Sequence, residues 1–252
     1  MNSNYQELLL ELSNDTATLT MNRPEALNAI TPLMLEELNR ALDVIAENGD
    51  IRFVILTGAG RAFSAGVDLK ALGDRRLENG KVGDILDLPA RSVIEKIEML
   101  PVPVIARVNG FCFTGAMELA LACDLMVVAD KARIGDTHAK WGLRPTWGMS
   151  QRLPNRVGIA KARELSLTAR TLTGQMAVEL GLANAVAPMA ELDDVITALI
   201  EEMRPNSAES FVAYKDLYRV AENQGLASGL RYEADNDYTF TDSNERLAGF
   251  LG

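Results

Sequence analysis

Residues Ala106 to Cys123 have the sequence ARVNGFCFTGAMELALAC. The apolar run that ends at Val108 predicts a buried strand, and Asn109-Gly110 predicts a turn after it. A second apolar segment begins at Thr114-Gly115-Ala116 and predicts a helix that contains one charge, Glu118. Because the first amide groups of a helix have no partner within it, a helix that begins at small residues is suited to bind an anion. Glu118 is then either an ion-paired core carboxylate or a catalyst.

The rest of the chain alternates between strand and helix patterns. Alternating apolar residues over Leu8 to Met21, with a turn at Asn14-Asp15, predict a hairpin. Thr31-Pro32 predicts a helix start with threonine as the cap. Further strands are predicted at Phe53–Thr57, Val104–Val108, Asp124–Ala129 and Ala183–Val186, and further helices at Ala90–Leu100, Gln151–Val157, Ile159–Leu167 and Thr173–Leu180. This order favours an α/β core with parallel strands.

Three segments lack these patterns and are predicted as loops: Gly58–Gly66, Glu78–Asp87 and Lys131–Gly148, the second of them mobile. The chain is mainly helical from Leu192 onward. Pro205-Asn206 is the most favourable internal boundary, so we divide the chain into a core at 1–204 and a C-terminal helical region at 205–252.

Composition narrows the classes of function. The 252 residues carry a net charge of −10, which disfavours binding to nucleic acid or to anionic membranes. No apolar run reaches the length of a membrane span, and the acidic N-terminal residues do not match a signal peptide, so we expect a cytoplasmic protein. Two cysteines and one histidine predict neither a disulfide framework nor a metal site.

Four segments, in this order, resemble motifs of the crotonase family, which is also called the enoyl-CoA hydratase/isomerase superfamily. They are NRPEALNAI at Asn22–Ile30, GRAFSAGVDL at Gly60–Leu69, VNGFCFTGAMELALACDL at Val108–Leu125 and WGMSQRL at Trp147–Leu153. The resemblance extends over most of the chain. It implies a crotonase-like spiral of ββα units, followed by a C-terminal helical trimerisation region, and an assembly that is a homotrimer or a hexamer.

The resemblance also implies an acyl-CoA thioester as substrate, and no cofactor besides the coenzyme A of that substrate. Members of the family hold the thioester oxygen between two backbone N–H groups, which form an oxyanion hole. Matched motif to motif, these donors are Ala65 and Gly115. Donors aimed at a developing negative charge are commonly the largest catalytic contribution, on the order of 3 kcal/mol for each donor. The alternative is that both glycine-containing segments are plain turns.

Two side chains match the catalytic positions of the family. Glu118 matches the first acidic residue, and the second acidic position falls on His138, where a family hydratase has glutamate. Histidine is a competent general acid–base, but the difference leaves a single-base isomerase, a decarboxylase and a hydratase of an unusual acyl chain open. The alternative for His138 is a structural role in the connector.

The resemblance assigns substrate contacts to a further group of residues: Arg23, Ala26, Ala62, Gly66, Asp68, Leu69 and Trp147. Trp147 shapes the acyl pocket or packs in the core, and Trp141 favours core packing. An acidic protein needs a local basic site for coenzyme A, and the candidates besides Arg23 are Arg61, Lys70, Arg75 and Arg76.

The function predicted from these residues is that of an acyl-CoA lyase, namely an enoyl-CoA hydratase that adds water to a 2-enoyl-CoA. The alternatives are an enoyl-CoA isomerase or other lyase that uses Glu118 and His138, and a non-catalytic binding protein with the same fold.

Overall fold

The computed structural model of the chain describes residues 5–73 and 77–251. Arg75 and Arg76, two of the candidates for coenzyme A binding, lie outside these residues. The strands are β1 (Leu8–Ser13), β2 (Thr16–Met21), β3 (Phe53–Gly58), β4 (Ala62–Ser64), β5 (Val104–Val108), β6 (Phe111–Phe113), β7 (Leu125–Ala129), β8 (Arg133–Gly135) and β9 (Ala185–Ala187). The helices are α1 (Pro32–Ala46), α2 (Asp84–Met99), α3 (Gly115–Ala122), α4 (Met149–Val157), α5 (Ile159–Thr168), α6 (Gly174–Glu179), α7 (Leu192–Met203), α8 (Ala208–Asn223), α9 (Leu226–Asp235) and α10 (Ser243–Leu251).

The main sheet has six strands in the order β1-β2-β3-β5-β7-β9. β1 and β2 form the predicted hairpin and are antiparallel, whereas β2, β3, β5, β7 and β9 are parallel. The buried residues of these strands belong to one apolar core together with those of the surrounding helices. The α/β core with parallel strands is therefore confirmed.

A second sheet of three short parallel strands, β4-β6-β8, was not predicted. These strands lie in the predicted loop Gly58–Gly66, in the turn after Val108, and in the predicted connector Lys131–Gly148. Each has three residues, which is too few to show an alternating pattern. Each also follows a strand of the main sheet and precedes a helix, so the chain forms successive β3-β4-α2, β5-β6-α3 and β7-β8-α4 units. This is the spiral of ββα units that the resemblance implied.

Local signals explain most helix boundaries. The Thr31 side chain accepts a hydrogen bond from the Met34 amide at 3.0 Å, so Thr31 is the cap of α1 and Pro32 its first residue, as predicted. The predicted mobile segment Glu78–Asp87 is wrong in its last part, because α2 begins at Asp84. Buried Leu86 and Asp87 anchor this first turn.

The C-terminal helices are attached to the core through α8. The Lys215 ammonium group lies 2.7 Å from Asp124 and donates to the carbonyl oxygen of Val102 at 3.1 Å. The rings of Phe211 and Phe53 are 6.4 Å apart between centroids. α9 has no buried residue. The division at residue 205 stays a prediction. Among the described residues, no helix is both long enough and apolar enough to cross a membrane.

We expect Asn28→Ala to lower the free energy of unfolding by about 2–4 kcal/mol, because it removes three buried hydrogen bonds. The Asn28 side chain is fully buried, accepts from the Arg23 amide at 2.9 Å and donates to the carbonyl oxygens of Ala59 and Ala62 at 2.9 and 2.8 Å. Urea unfolding measures the change. The control is Asn223→Ala, which removes one exposed bond within α8 and should change stability by roughly 0.5 kcal/mol or less. Equal effects of the two variants would contradict this account.

Candidate active site

Two loops meet at Gly66, which follows β4. Its φ of +95° is favourable only for glycine, and an added Cβ atom would lie 2.3 Å from Thr114 Oγ1 and 2.8 Å from the carbonyl oxygen of Phe113. Any other residue would therefore push the end of β4 away from the start of α3. Because β4 and β6 are parallel neighbours, both loops leave the same edge of the second sheet.

The backbone amides after β4 differ in whether they are free to donate a hydrogen bond to a ligand. The Ala65 N–H donates to the carbonyl oxygen of Leu27 at 2.9 Å. The prediction that Ala65 supplies an oxyanion donor is therefore wrong, because its amide is already engaged. The Asp68 amide is also engaged, with the carbonyl oxygen of Ile30 at 2.9 Å. Between them, the Val67 amide has no hydrogen-bond partner among the described residues.

The second loop presents the start of α3. Gly115 is the first residue of this helix, and its amide has no acceptor in the part of the chain that the structure describes. The preceding Thr114 has a φ of 48° and provides no side-chain cap. The helix start is therefore left open, as the sequence predicted.

A cavity of about 180 Å³ lies where these loops meet. Its wall includes Val67 and Gly115, the two residues with available backbone amides. It also includes both predicted catalytic residues, Glu118 and His138. The remaining lining residues are Ala65, Leu69, Val82, Thr114, Thr137, Trp141, Leu143, Arg144, Thr146 and Trp147. The fold thus brings together residues from three of the four sequence motifs.

Glu118 is a buried carboxylate held by backbone amides. Only 1% of its surface is exposed, and Oε1 accepts from the amides of Trp147 at 3.0 Å and Met149 at 2.9 Å. Burial raises the pKa of Glu118 above its usual range, although the Met149 amide, a charged His138 and the Trp147 amide oppose that rise. The other oxygen, Oε2, lies 3.7 Å from His138 Nε2. Glu118 is therefore easier to protonate than an exposed glutamate, and it lies beside an imidazole.

His138 is held by a neighbouring carboxylate. Asp136 Oδ1 lies 2.7 Å from His138 Nδ1 and accepts from the His138 amide at 3.2 Å, and Asp136 Oδ2 accepts from the Ser166 hydroxyl at 2.6 Å. Burial acts to raise the pKa of Asp136, but the hydrogen bonds from His138 and Ser166 outweigh it and hold that pKa below its usual value. The sequence named Asp136 only as a weaker substitute for His138; the structure places it behind the imidazole.

Trp147 forms a fixed wall of the cavity. It is buried, and its indole Nε1 donates to Asp87 at 2.8 Å. A Cβ atom added to Gly115 would lie 2.4 Å from the Trp147 ring, so the helix start and the indole pack in direct contact. Trp141 is 60% exposed and lies at the edge of the cavity, so the prediction that it packs in the core is wrong.

The other predicted substrate contacts are spread more widely. Ala62 is fully buried in β4, so the prediction that it contacts substrate is wrong. Arg23 pairs with Glu7 at 3.1 Å and with Asp68 at 3.0 Å, so its charge is largely neutralised. Arg23, Ala26 and Asp68 lie outside the cavity wall. Gly66 acts through its backbone. Leu69 and Trp147 line the cavity, and their contact with substrate stays a prediction.

Three basic residues are exposed. Arg61 and Lys70 were predicted from the sequence as candidates for coenzyme A binding, whereas Arg144 was not. The guanidinium of Arg61 lies 6.0 Å from the centre of the Phe111 ring, and Lys70 lies at the end of the short helix that follows Val67. Arg144 lines the cavity. Within 5–73 and 77–251, no group of three or more histidine, cysteine, aspartate and glutamate side chains is placed to hold a metal ion.

We expect Glu118→Gln to become progressively more stable than the wild type as pH rises. The pKa of Glu118 is higher in the folded than in the unfolded chain, so the wild type loses stability above the unfolded value of about 4.3, by ~1.4 kcal/mol for each unit until the folded pKa is reached. Glutamine does not titrate, and its side-chain oxygen can accept the same two amide bonds. Urea unfolding at a series of pH values, from below the unfolded pKa of glutamate up to about pH 8, measures the difference. Parallel curves for the two proteins, or an equal trend in the exposed control Glu95→Gln, would contradict it.

Comparisons with known proteins identify the family that this chain resembles. A family model described as enoyl-CoA hydratase/isomerase matches residues 11–252. The chain is 33% identical over 243 residues to an Arabidopsis thaliana protein named probable enoyl-CoA hydratase 1, peroxisomal, and the match covers 95% of this chain and 89% of that protein. It is 34% identical over 252 residues to the short-chain-enoyl-CoA hydratase of Clostridium acetobutylicum, with 97% and 94% of the two chains covered.

A solved structure extends the likeness to three dimensions. The crystal structure of an enoyl-CoA hydratase from Bacillus anthracis superposes with a TM-score of 0.85 at 33% identity, over 91% of this chain and 89% of that one. The sequence match, the ββα spiral and the cavity between the two loops lead to the same conclusion: this chain belongs to the enoyl-CoA hydratase/isomerase family.

Proposed function

We propose that this enzyme adds water across the double bond of a 2-enoyl-CoA thioester. One observation carries the proposal: Glu118 Oε2 and His138 Nε2 are 3.7 Å apart in a cavity that is also lined by Val67 and Gly115. That separation is too long for a direct hydrogen bond, but a water oxygen placed to one side of the line that joins the two atoms can lie about 2.8 Å from each of them. The names of the relatives, all enoyl-CoA hydratases, support the same substrate class.

The four groups have complementary roles in this reaction. His138 Nε2 takes a proton from water as the oxygen bonds to C3, and the electron pair of the double bond moves toward the thioester oxygen. The amides of Val67 and Gly115 stabilise the negative charge on that oxygen. Glu118, whose pKa is raised by burial, delivers its proton to C2. Transfer of the proton from the imidazolium to the Glu118 carboxylate then restores both groups, so the net change is addition of one water.

Coenzyme A enters this proposal as part of the substrate. Acid, base and oxyanion donors all come from the chain, so we propose that no separate cofactor or metal takes part. Arg144 lines the cavity and Lys70 follows the lining residue Leu69, so both are candidates to meet the coenzyme A phosphates. Arg61 remains a candidate from the sequence.

We expect purified protein to hydrate crotonyl-CoA, followed as loss of the enoyl absorbance and confirmed by mass spectrometry of the product. Glu118→Gln and His138→Gln should each lower kcat by about 10²- to 10⁴-fold, because each removes one proton-transfer group. The control Glu95→Gln, an exposed position on α2, should retain full activity. Dialysis against a chelator should leave the rate unchanged.

Either of two results would contradict this proposal and favour another function. A folded wild type that is inert toward enoyl-CoA thioesters of short, medium and long chains would favour a non-catalytic binding protein. A product of unchanged mass with a moved double bond would identify an isomerase.

We propose Val67, rather than Ala65, as the first oxyanion donor, and backbone esters separate the two. Replacing the Val67 amide with an ester, by incorporation of the α-hydroxy acid, should lower kcat about 10²- to 10³-fold. The same change at Ala65 removes the bond to Leu27 and should lower stability by roughly 1 kcal/mol with little change in kcat. A larger loss of kcat at Ala65 than at Val67 would restore the sequence-based assignment.

We propose a homotrimer or a hexamer as the assembly. The support is a group of exposed apolar side chains on α8, α9 and α10 and the linker before α10: Tyr214, Tyr218, Leu226, Leu230, Phe240 and Leu247. A helical region with this much apolar surface is typical of a self-association interface. The mass in solution distinguishes the two states.

We propose the cytoplasm as the compartment. Cys112 and Cys123 are free and buried, and burial raises the pKa of both thiols, which keeps them unreactive in a reducing environment. Relatives named peroxisomal and mitochondrial mark the other compartments that cell fractionation would have to exclude.

A further inference from the structure

The hydrogen bonds behind His138 form a continuous chain that the sequence did not predict. It runs from the Ser166 hydroxyl on α5 to Asp136 and from Asp136 to the imidazole, with bonds of 2.6 and 2.7 Å. Both oxygens of Asp136 are used, and only 3% of this residue is exposed. Buried polar groups arranged in this way hold one another in a single orientation.

The Asp136 carboxylate determines which ring nitrogen of His138 carries the hydrogen. A carboxylate only accepts hydrogen bonds, so the imidazole nitrogen that faces Asp136 must carry a hydrogen. The neutral ring is then protonated at Nδ1, and Nε2 keeps its lone pair. Nε2 is the atom that lies 3.7 Å from Glu118 Oε2 at the cavity. The lone pair of the base therefore faces the site where the proposed reaction takes place.

We propose that Asp136 is a positioning residue that selects the Nδ1–H tautomer of His138, and that Ser166 secures the Asp136 carboxylate in turn. Asp136 lines no part of the cavity and touches no reacting atom. Its effect on catalysis passes through the imidazole, which it turns into a proton acceptor directed at Glu118. The kinetic part of this inference rests on the proposed hydratase activity, whereas the tautomer does not.

The chain has one histidine, so its imidazole nitrogens give a single set of signals in a ¹⁵N-labelled sample. At a pH where the ring is neutral, we expect two-bond ¹⁵N–¹H correlations of the wild type to show a protonated Nδ1 and an unprotonated Nε2. The Nε2–H tautomer in the wild type would overturn the proposal, whether or not the protein is active.

Variants then test the consequence for catalysis. Asp136→Ala removes the acceptor behind the ring, so we expect the Nε2–H tautomer to gain population and kcat to fall by about 10²- to 10⁴-fold, with KM changed by less than about threefold. Ser166→Ala keeps the Asp136–His138 bond, so the Nδ1–H tautomer should persist and kcat should fall by less than about tenfold. Asp235→Ala, an exposed position on α9, is the matched control.

The outcomes separate the two proposals. A wild type with the Nδ1–H tautomer but no hydratase activity removes the proposed reaction and keeps the role of Asp136 toward the ring. Asp136→Ala with unchanged kcat, or with the Nδ1–H tautomer retained, overturns the positioning role even if hydration is confirmed.

Discussion

The close approach of Gly66 to Thr114 is the contact on which the site depends. There is no room for a side chain at position 66, because a Cβ atom would lie 2.3 Å from Thr114 Oγ1. This contact is possible because β4 and β6 are neighbours in the second sheet and end at the same edge. The two segments that leave that edge carry the amides of Val67 and Gly115, for which the described part of the chain offers no acceptor. A small sheet of three-residue strands thus determines where two main-chain donors lie.

Two opposing effects act on the charged form of Glu118, the carboxylate beside these donors. Burial favours the neutral form of Glu118, and the amides of Trp147 and Met149 favour the charged form. The net result is a raised pKa, which suits a group that must deliver a proton near neutral pH. The same burial lowers the free energy of unfolding at pH values where Glu118 is ionised. The burial that raises the pKa of Glu118 therefore destabilises the fold.

His138 and Glu118 form an unequal pair. Asp136 supplies a negative charge behind the imidazole, whereas no carboxylate among the described residues is hydrogen-bonded to Glu118. Under our proposal the imidazole is held as a proton acceptor, and burial makes the Glu118 carboxylate easier to protonate than an exposed one. We propose that histidine serves at this position because Asp136, which accepts a hydrogen bond from Ser166, lies behind the ring.

The sequence by itself determined the main sheet, most of the helices, the open helix start at Gly115 and the placement of Glu118 and His138, because these depend on local patterns and on motifs. It could not determine whether the amide of Ala65 or that of Val67 is available. That choice depends on the carbonyl oxygen of Leu27, which a distant loop brings to Ala65. Nor could it reveal that Asp136 supports the imidazole, since β8 and α5 must first pack together to bring Ser166 to that carboxylate. Hydrogen-bond partners of this kind exist only after the chain has folded, and they decide which of several similar groups is free to react.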